Sequence, residues 1–282
     1  MIMKVIHTVK HLKEAISLIK KQNKSVGFVP TMGALHEGHI SLAERAKAEN
    51  EVMAVSIFVN PMQFNNADDL KKYPVTTESD LAMLETAGCD FVFLPTADEI
   101  YTANEAPLSF DLGNLDKIME GKFRPGHFQG VITVVNKFFS WIKPQKAYFG
   151  EKDFQQLAII RMMSKKLHPD IQIIGCPTLR ESNGLAMSSR NRRLAESERN
   201  DAGIIYSSLI QLNSLKNNHD IADAKSLVIQ RIEEVHPFKV EYMDIVNADT
   251  LDSLSDWSES TQMRACIAVW CNEVRLIDNI AV

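Results

Sequence analysis

The chain has 282 residues, 45% hydrophobic and 24% charged, the composition of a globular protein with room for one large or two modest domains. Its formal net charge of -5 at pH 7 gives no overall attraction to nucleic acid and leaves only a local basic pocket for an anionic ligand. No apolar run nears the roughly 20 residues that cross a bilayer, and residues 1–24 intersperse apolar side chains with charges at helical intervals, unlike a secretory signal.

Helical and extended patterns then alternate. Residues 11–21 carry helical spacing, 25–29 (SVGFV) form a short strand, and 40–50 a helix. Residues 52–59 (VMAVSIFV) are a continuous apolar strand of the kind buried on both faces. A helix over 79–87, a strand over 90–94, a long apolar helix over 131–142, a strand over 146–149, a helix over 155–167 and a strand over 171–174 follow. Such alternation implies right-handed crossovers and a doubly wound parallel sheet, so a Rossmann-like α/β domain is expected over 1–176. After Cys176 the pattern changes to helices over 196–215 and 221–235 and then strands such as 239–246 and 265–270, a smaller α+β domain over 177–282. Cys89, Cys176, Cys266 and Cys271 show no CxxC spacing and read as buried thiols of a reducing compartment, with the cytoplasm as the expected location.

Ligands of doubly wound sheets bind beyond the carboxyl ends of the strands, so the segments following strands carry the functional argument. The first is PTMGALHEGH, residues 30–39, where Pro30 is expected to stop the strand and Gly33 to allow a turn or a close ligand approach. Gly38 is expected just before the helix, whose free N–H groups make an anion site beside His36 and His39. A capping or surface histidine and a zinc ligand are the competing readings, the latter without a Cys/His cluster nearby, and no GxxxxGK[ST] loop is present. Asn60 and Gln63 in SIFVNPMQF suit a carboxylate with hydroxyls, against plain Asn-Pro turn chemistry. In GEKDFQQL, Gly150 permits close approach, Lys152 offers a point charge and Asp153 an acceptor, with Gln156 opening the next helix, against a solvated charged turn. In GLAMSSRN, Ser188, Ser189 and Arg190 suit a polyphosphate on a flexible, lid-like loop between the domains, against a serine-rich linker.

PTMGALHEGH, FVNPMQF, RPGHFQGV, YFGEKDFQQL and GLAMSSRN, in this order and spacing, resemble the pantothenate synthetases (pantoate–β-alanine ligases) over about residues 20–195. Those enzymes belong to the nucleotidyltransferases marked by a HIGH-type motif, here His36 to His39, and a KMSKS-type loop, here Met187 to Arg190. The resemblance implies ATP-dependent condensation of pantoate with β-alanine through a pantoyl adenylate, releasing pyrophosphate and AMP, with magnesium on the phosphates and no dedicated protein cage for it. It implies that His39, His36, Lys152, Ser188, Ser189 and Arg190 serve catalysis, His39 as proton donor. ATP would be touched by Met32, Gly33, Ala34, Leu35, His36, Glu37, Gly38 and His39, by Gly150, Glu151, Lys152 and Asp153, and by Leu179, Met187, Ser188, Ser189 and Arg190. Gln63 and Gln156 would hold pantoate, Gln63 also β-alanine; Tyr73, Asp80 and Arg124 match further pocket positions of the family without an assigned role, and Asn60 has none. Homodimerisation is a further family expectation, and no membrane or nucleic-acid partner is expected. One departure is Asn183-Gly184, where the family often has Asp-Gly before the serine loop; Asn-Gly makes the same turn. The alternative is another adenylate-forming nucleotidyltransferase acting on a different small carboxylate.

Overall fold

The computed structural model describes residues 3–101 and 108–282, so residues 1, 2 and 102–107 of the expected first domain lie outside it. The chain divides into two compact units, one of Met1–Glu151 and Gln156–Pro177, the other of Lys152–Gln155 and Thr178–Val282. The division differs from a single boundary after residue 176, because the short segment that follows the fifth strand groups with the second unit.

The first unit is an α/β sheet of six strands, β1 (Lys4–Ile6), β2 (Val26–Thr31), β3 (Val52–Ile57), β4 (Phe91–Phe93), β5 (Lys146–Gly150) and β6 (Gln172–Cys176). Their spatial order is β1-β4-β3-β2-β5-β6, every pairing parallel. From β2 the chain passes through the Glu37–Glu49 helix to β3 and through the Thr77–Thr86 helix to β4. It returns through the His127–Ile142 helix to β5 on the other side of β2, and the Phe154–Leu167 helix leads to β6.

The continuous apolar runs follow from burial on both faces. Alternate residues point to opposite sides, so Phe28, Ala54, Phe91 and Phe93 join one core cluster with the His127–Ile142 helix. Val29, Val55, Val92 and Tyr148 join another with the Glu37–Glu49 helix. Phe138 packs edge-on against Phe28 and Phe93, ring centroids 5.9 Å away in each case. Each fully buried side chain of this size contributes about 1.5–3 kcal/mol.

Pro30 does not end β2: the strand continues to Thr31, with Pro30 opposite Ser56 and Thr31 opposite Ile57 on β3. On the other side β5 pairs with β2 at Gly27 and Phe28, short of Pro30, so the missing N–H breaks no ladder bond there. The next helix also starts earlier than residue 40, at Glu37 with His36 as its N-cap, so Gly38 and His39 lie inside its first turn. The N-terminal β1, with Ile6 as its buried member, is too short to show alternation in the sequence.

The second unit is an antiparallel sheet in the order β7-β8-β9, from β7 (Phe238–Asn247), β8 (Met263–Cys271) and β9 (Val274–Ala281). Its core joins Ala265, Ile267, Val269 and Leu276 of the sheet to Ile205, Leu209, Val228 and Ile232 of two helices, Gly203–Ile210 and Ile221–Glu233. The single helix expected over 196–215 is three, Glu196–Asp201, Gly203–Ile210 and Leu212–Leu215. At the first break the Asn183 side-chain amide donates to the carbonyls of Arg199 (2.8 Å) and Asn200 (3.0 Å), which a continuous helix would have used itself. No helix among the described residues is long and apolar enough to cross a membrane.

Candidate active site

Because the first-unit strands are all parallel, their carboxyl ends share one edge. The connections leave β2 in one direction and β5 in the other, so the crevice outside these two strands is the topological switch point.

The segment after β2 is held from below. Thr31 Oγ1 donates to the carbonyl of Ser56 (2.7 Å) and accepts the Gly33 N–H (3.3 Å). Gly33 has φ +81°, and a Cβ there would lie 3.0 Å from Asp80 Oδ2, so glycine is required both by conformation and by space. Asp80, 1% exposed, accepts the N–H groups of Ala34 and Leu35, both at 2.8 Å, and the Thr76 hydroxyl at 2.9 Å. These two backbone donors are committed inward, so Ala34 and Leu35 set the position of the loop while Met32 and His36 remain partly exposed. A cavity of about 290 Å3 has Met32, Gly33, Ala34 and Asp80 in its wall.

His36 caps the helix through its ring: Nδ1 accepts the Gly38 N–H at 3.1 Å, which puts the proton of the neutral ring on Nε2. The His36 and His39 rings lie 4.1 Å apart between centroids, tilted by 49°. At the far end of the same helix Glu49 accepts from Lys146 and Arg45, each at 2.9 Å, and from the Tyr148 hydroxyl at 3.0 Å. Lys146 first and then Arg45 hold the Glu49 carboxyl down at about 2, while burial pushes the Tyr148 phenol up to about 12. These contacts tie the carboxyl-terminal end of the helix to β5.

Beyond β3, Asn60 is 1% exposed and saturated: Nδ2 donates to the Gln63 side-chain oxygen (3.1 Å) and the Gly130 carbonyl (3.0 Å), and Oδ1 accepts from Tyr101 (2.6 Å) and the Met62 N–H (3.2 Å). Gly130 is required because a Cβ would meet the Met62 carbonyl oxygen at 2.4 Å. His127 Nδ1 lies 2.8 Å from the Gln63 carbonyl oxygen. The Gln63 amide nitrogen in turn donates to the Met32 sulfur at 2.8 Å, a soft acceptor that a ligand oxygen readily replaces. Asn60 thus makes the turn bond to Met62 and also fixes the Gln63 side-chain oxygen. Gly150 ends β5 with open space where a Cβ would stand, and Gln156 is partly exposed in the helix that follows.

The second unit places its own candidates. Residues 179–187 form a hairpin in which Met187 N–H donates to the Leu179 carbonyl (3.0 Å) and Gly184, φ +94°, makes the turn after Asn183. Arg180 leaves this hairpin to make a bidentate pair with Asp278 on β9 (2.6 and 2.9 Å), its guanidinium stacked 3.6 Å over the Tyr206 ring. Ser188 accepts the Arg190 N–H at 3.3 Å and caps a short helix, Ser189–Arg193, in which Ser189 is buried. Asn191 closes this helix onto the hairpin by donating to Glu181 (2.8 Å) and to the Ala186 carbonyl (3.1 Å). The serine segment is therefore a braced turn within the second unit, not a flexible connection between domains. Lys152 lies 3.5 Å from Asp153 Oδ1, and its carbonyl accepts the Asn279 side-chain amide at 2.8 Å.

Asp80, Tyr101 and His127 are the structural residues to which sequence reading gave no role. His127 lies in the motif RPGHFQGV and Asp80 matches a pocket position of the family, yet neither reading gives the bracing contacts each makes in the structure.

A doubly wound parallel sheet with a histidine-capped helix start at its switch point defines a Rossmann-like α/β protein with an anion-ready site. A family model described as Pantoate-beta-alanine ligase matches residues 4–281. The chain is 48% identical over 278 residues to a pantothenate synthetase of Bacteroides fragilis, covering 99% of this chain and 98% of that one. It is 46% identical to one of Cytophaga hutchinsonii, covering 98% of each. Among solved structures, pantothenate synthetase from Thermus thermophilus superposes with a TM-score of 0.91 at 41% identity, covering 98% of both chains. A pantoate-beta-alanine ligase from Francisella tularensis, described as complexed with beta-gamma ATP and beta-alanine, gives 0.82 at 36% identity over 99% of this chain and 97% of that one. The chain belongs to the pantoate–β-alanine ligase family and is a ligase.

Proposed function

We propose that the protein joins pantoate to β-alanine in two steps, using ATP. In the first, the pantoate carboxylate attacks the α-phosphorus of ATP and pyrophosphate leaves. In the second, the β-alanine amine attacks the carbonyl of the pantoyl adenylate, giving pantothenate and AMP. The observation that carries this reading is the pairing of a histidine-bearing helix start with a glutamine at adjacent strand ends. His36 and His39 stand in the first turn after β2, and Gln63 rests on Met32 of the same loop.

His39 donates to the α-phosphate as charge builds there, and one well-placed donor is worth roughly 3–4 kcal/mol in such a transition state. His36, with its proton on Nε2, donates to a neighbouring phosphate oxygen. Gln63 exchanges the Met32 sulfur for pantoate oxygens and later meets β-alanine, and Gln156 takes the other side of pantoate. Lys152 balances phosphate charge, and Ser188, Ser189 and Arg190 hold the β- and γ-phosphates until pyrophosphate departs. Met32 to Gly38, Gly150, Glu151, Asp153, Leu179 and Met187 complete the nucleotide contacts. Magnesium bound with the nucleotide would offset part of the phosphate charge.

The test is direct. Purified protein with ATP, magnesium and pantoate should release pyrophosphate, and AMP should appear once β-alanine is added. Turnover with an amino acid in place of pantoate, and none with pantoate, would overturn the reading.

A further inference from the structure

In β9, Asp278 and Asn279 are consecutive, polar and both buried. Successive strand residues face opposite sides of a sheet, so two adjacent buried polar residues mark a strand covered on both faces. Asp278 faces the helical core, where it accepts both Arg180 nitrogens, and Arg180 is the residue that anchors the 179–187 hairpin. Its own Oδ1 also accepts the Asn279 N–H at 2.7 Å. On the opposite face Asn279 Oδ1 accepts Arg264 Nε at 2.7 Å, which fixes the amide's orientation and turns Nδ2 toward the Lys152 carbonyl, 2.8 Å away. Arg264 stacks 4.2 Å over the Phe154 ring, so the chain on both sides of Asp153 is tied to this face. Lys152–Gln155 groups with the second unit, although both neighbouring stretches belong to the first.

We propose that Asn279 is a positioning residue for Lys152. Its side-chain amide holds the main chain of Lys152 on one face of β9 while Asp278 holds the serine-turn hairpin through Arg180 on the other. Lys152, Ser188, Ser189 and Arg190 are thereby one rigid set carried by a single strand. The inference rests on the proposed role of Lys152 at the phosphates, and it predicts a selective defect. Misplacing Lys152 weakens the pyrophosphate-releasing step, in which charge on the phosphates changes most, and spares the attack of β-alanine on a finished adenylate.

The experiment compares wild type, Asn279→Asp and Asn279→Ala in full-length protein. Asn279→Asp keeps an acceptor for Arg264 and removes the donor to Lys152, and Asn279→Ala removes both without adding charge. Three quantities are measured: ATP- and pantoate-dependent pyrophosphate release with its kcat and each KM, single-turnover aminolysis of supplied pantoyl adenylate, and Tm. The expected result is a fall in kcat for pyrophosphate release of about ten- to a hundredfold, the scale of a displaced catalytic group. Pantoate KM and aminolysis should stay within about twofold of wild type, and competence in aminolysis shows that a variant is folded. Unchanged pyrophosphate release, equal loss in both half-reactions, or failure of both variants to fold would overturn the proposal by making Asn279 either idle or purely structural. An inactive wild type would instead sink the proposed reaction, so the two failures are distinguishable.

Discussion

The two units position functional groups by different means. In the first, backbone geometry does most of the placing: a strand that runs on through Pro30, a glycine at φ +81° and a helix capped by His36 put the histidine pair where parallel strands end, with the buried Asp80 carboxylate as the clamp beneath. In the second, side chains do it. Arg180 grips Asp278, Asn191 grips Glu181 and Asn279 grips Lys152, all around a three-stranded antiparallel sheet. A site built mainly from backbone geometry tolerates few glycine changes and depends on the single carboxylate that clamps its loop. A site built from ion pairs and amides is open to single polar substitutions far from the substrate.

The largest effect should come from breaking the second kind. Arg180→Ala strips the partner from Asp278, whose side chain is 4% exposed. An uncompensated buried charge costs about 3–5 kcal/mol, so urea denaturation should show a loss of that order. On the functional side, His39→Ala should slow pyrophosphate release by about a hundredfold with little change in denaturation midpoint, and near-normal turnover would remove His39 from the chemistry. Asp80→Ala leaves the Ala34 and Leu35 N–H groups without their acceptor beside the adjoining cavity. A stability loss of about 1–3 kcal/mol and a raised KM for ATP are expected, with the KM for β-alanine nearer wild type.

The smallest effect sharpens the comparison through pH. Glu49 is lowered in the folded protein from 4.5 to about 2 by Lys146 and Arg45, so its unfolded state binds a proton more readily than its folded state. Its contribution is complete above about pH 4.5 and is lost as pH falls toward 2. In a Tm series from pH 7 to 2.5, Glu49→Gln should therefore differ most from wild type at pH 7 and converge with it at the acid end. A gap that widened with acidification would mean that the Lys146 and Arg45 contacts do not operate in solution.

Sequence periodicity revealed the first unit because a sheet buried on both faces writes itself as apolar runs such as VMAVSIFV, and a helix start writes itself as glycine and polar residues after them. The details that escaped it are those set by partners distant along the chain. Pro30 continues its strand because β5 pairs only as far as Phe28, a matter of register. The second unit was less legible. β9 escaped the strand reading because Asp278-Asn279 interrupts its apolar alternation, and the helix over 196–215 breaks because Asn183, far back in the chain, takes its carbonyls. The histidine, lysine and serine motifs were visible as chemistry; the braces Asp80, Asn60 and Asn279 were not, because an isolated polar residue gives no sign of what it will hold.

The unit boundaries after Glu151 and Gln155 have a practical consequence. The chain crosses from the first body to the second, returns, and crosses again, so a single cut cannot release either one whole. A fragment beginning at residue 178 would lack the strip containing Lys152 and Phe154 and would expose Asn279 of β9 and Arg264 of β8, which meet it. A fragment ending at 177 would carry that strip with nothing to bind it. Excision, circular permutation or grafting of the C-terminal body must therefore take the four-residue strip along, either by a linker that restores it or by coexpression of both pieces.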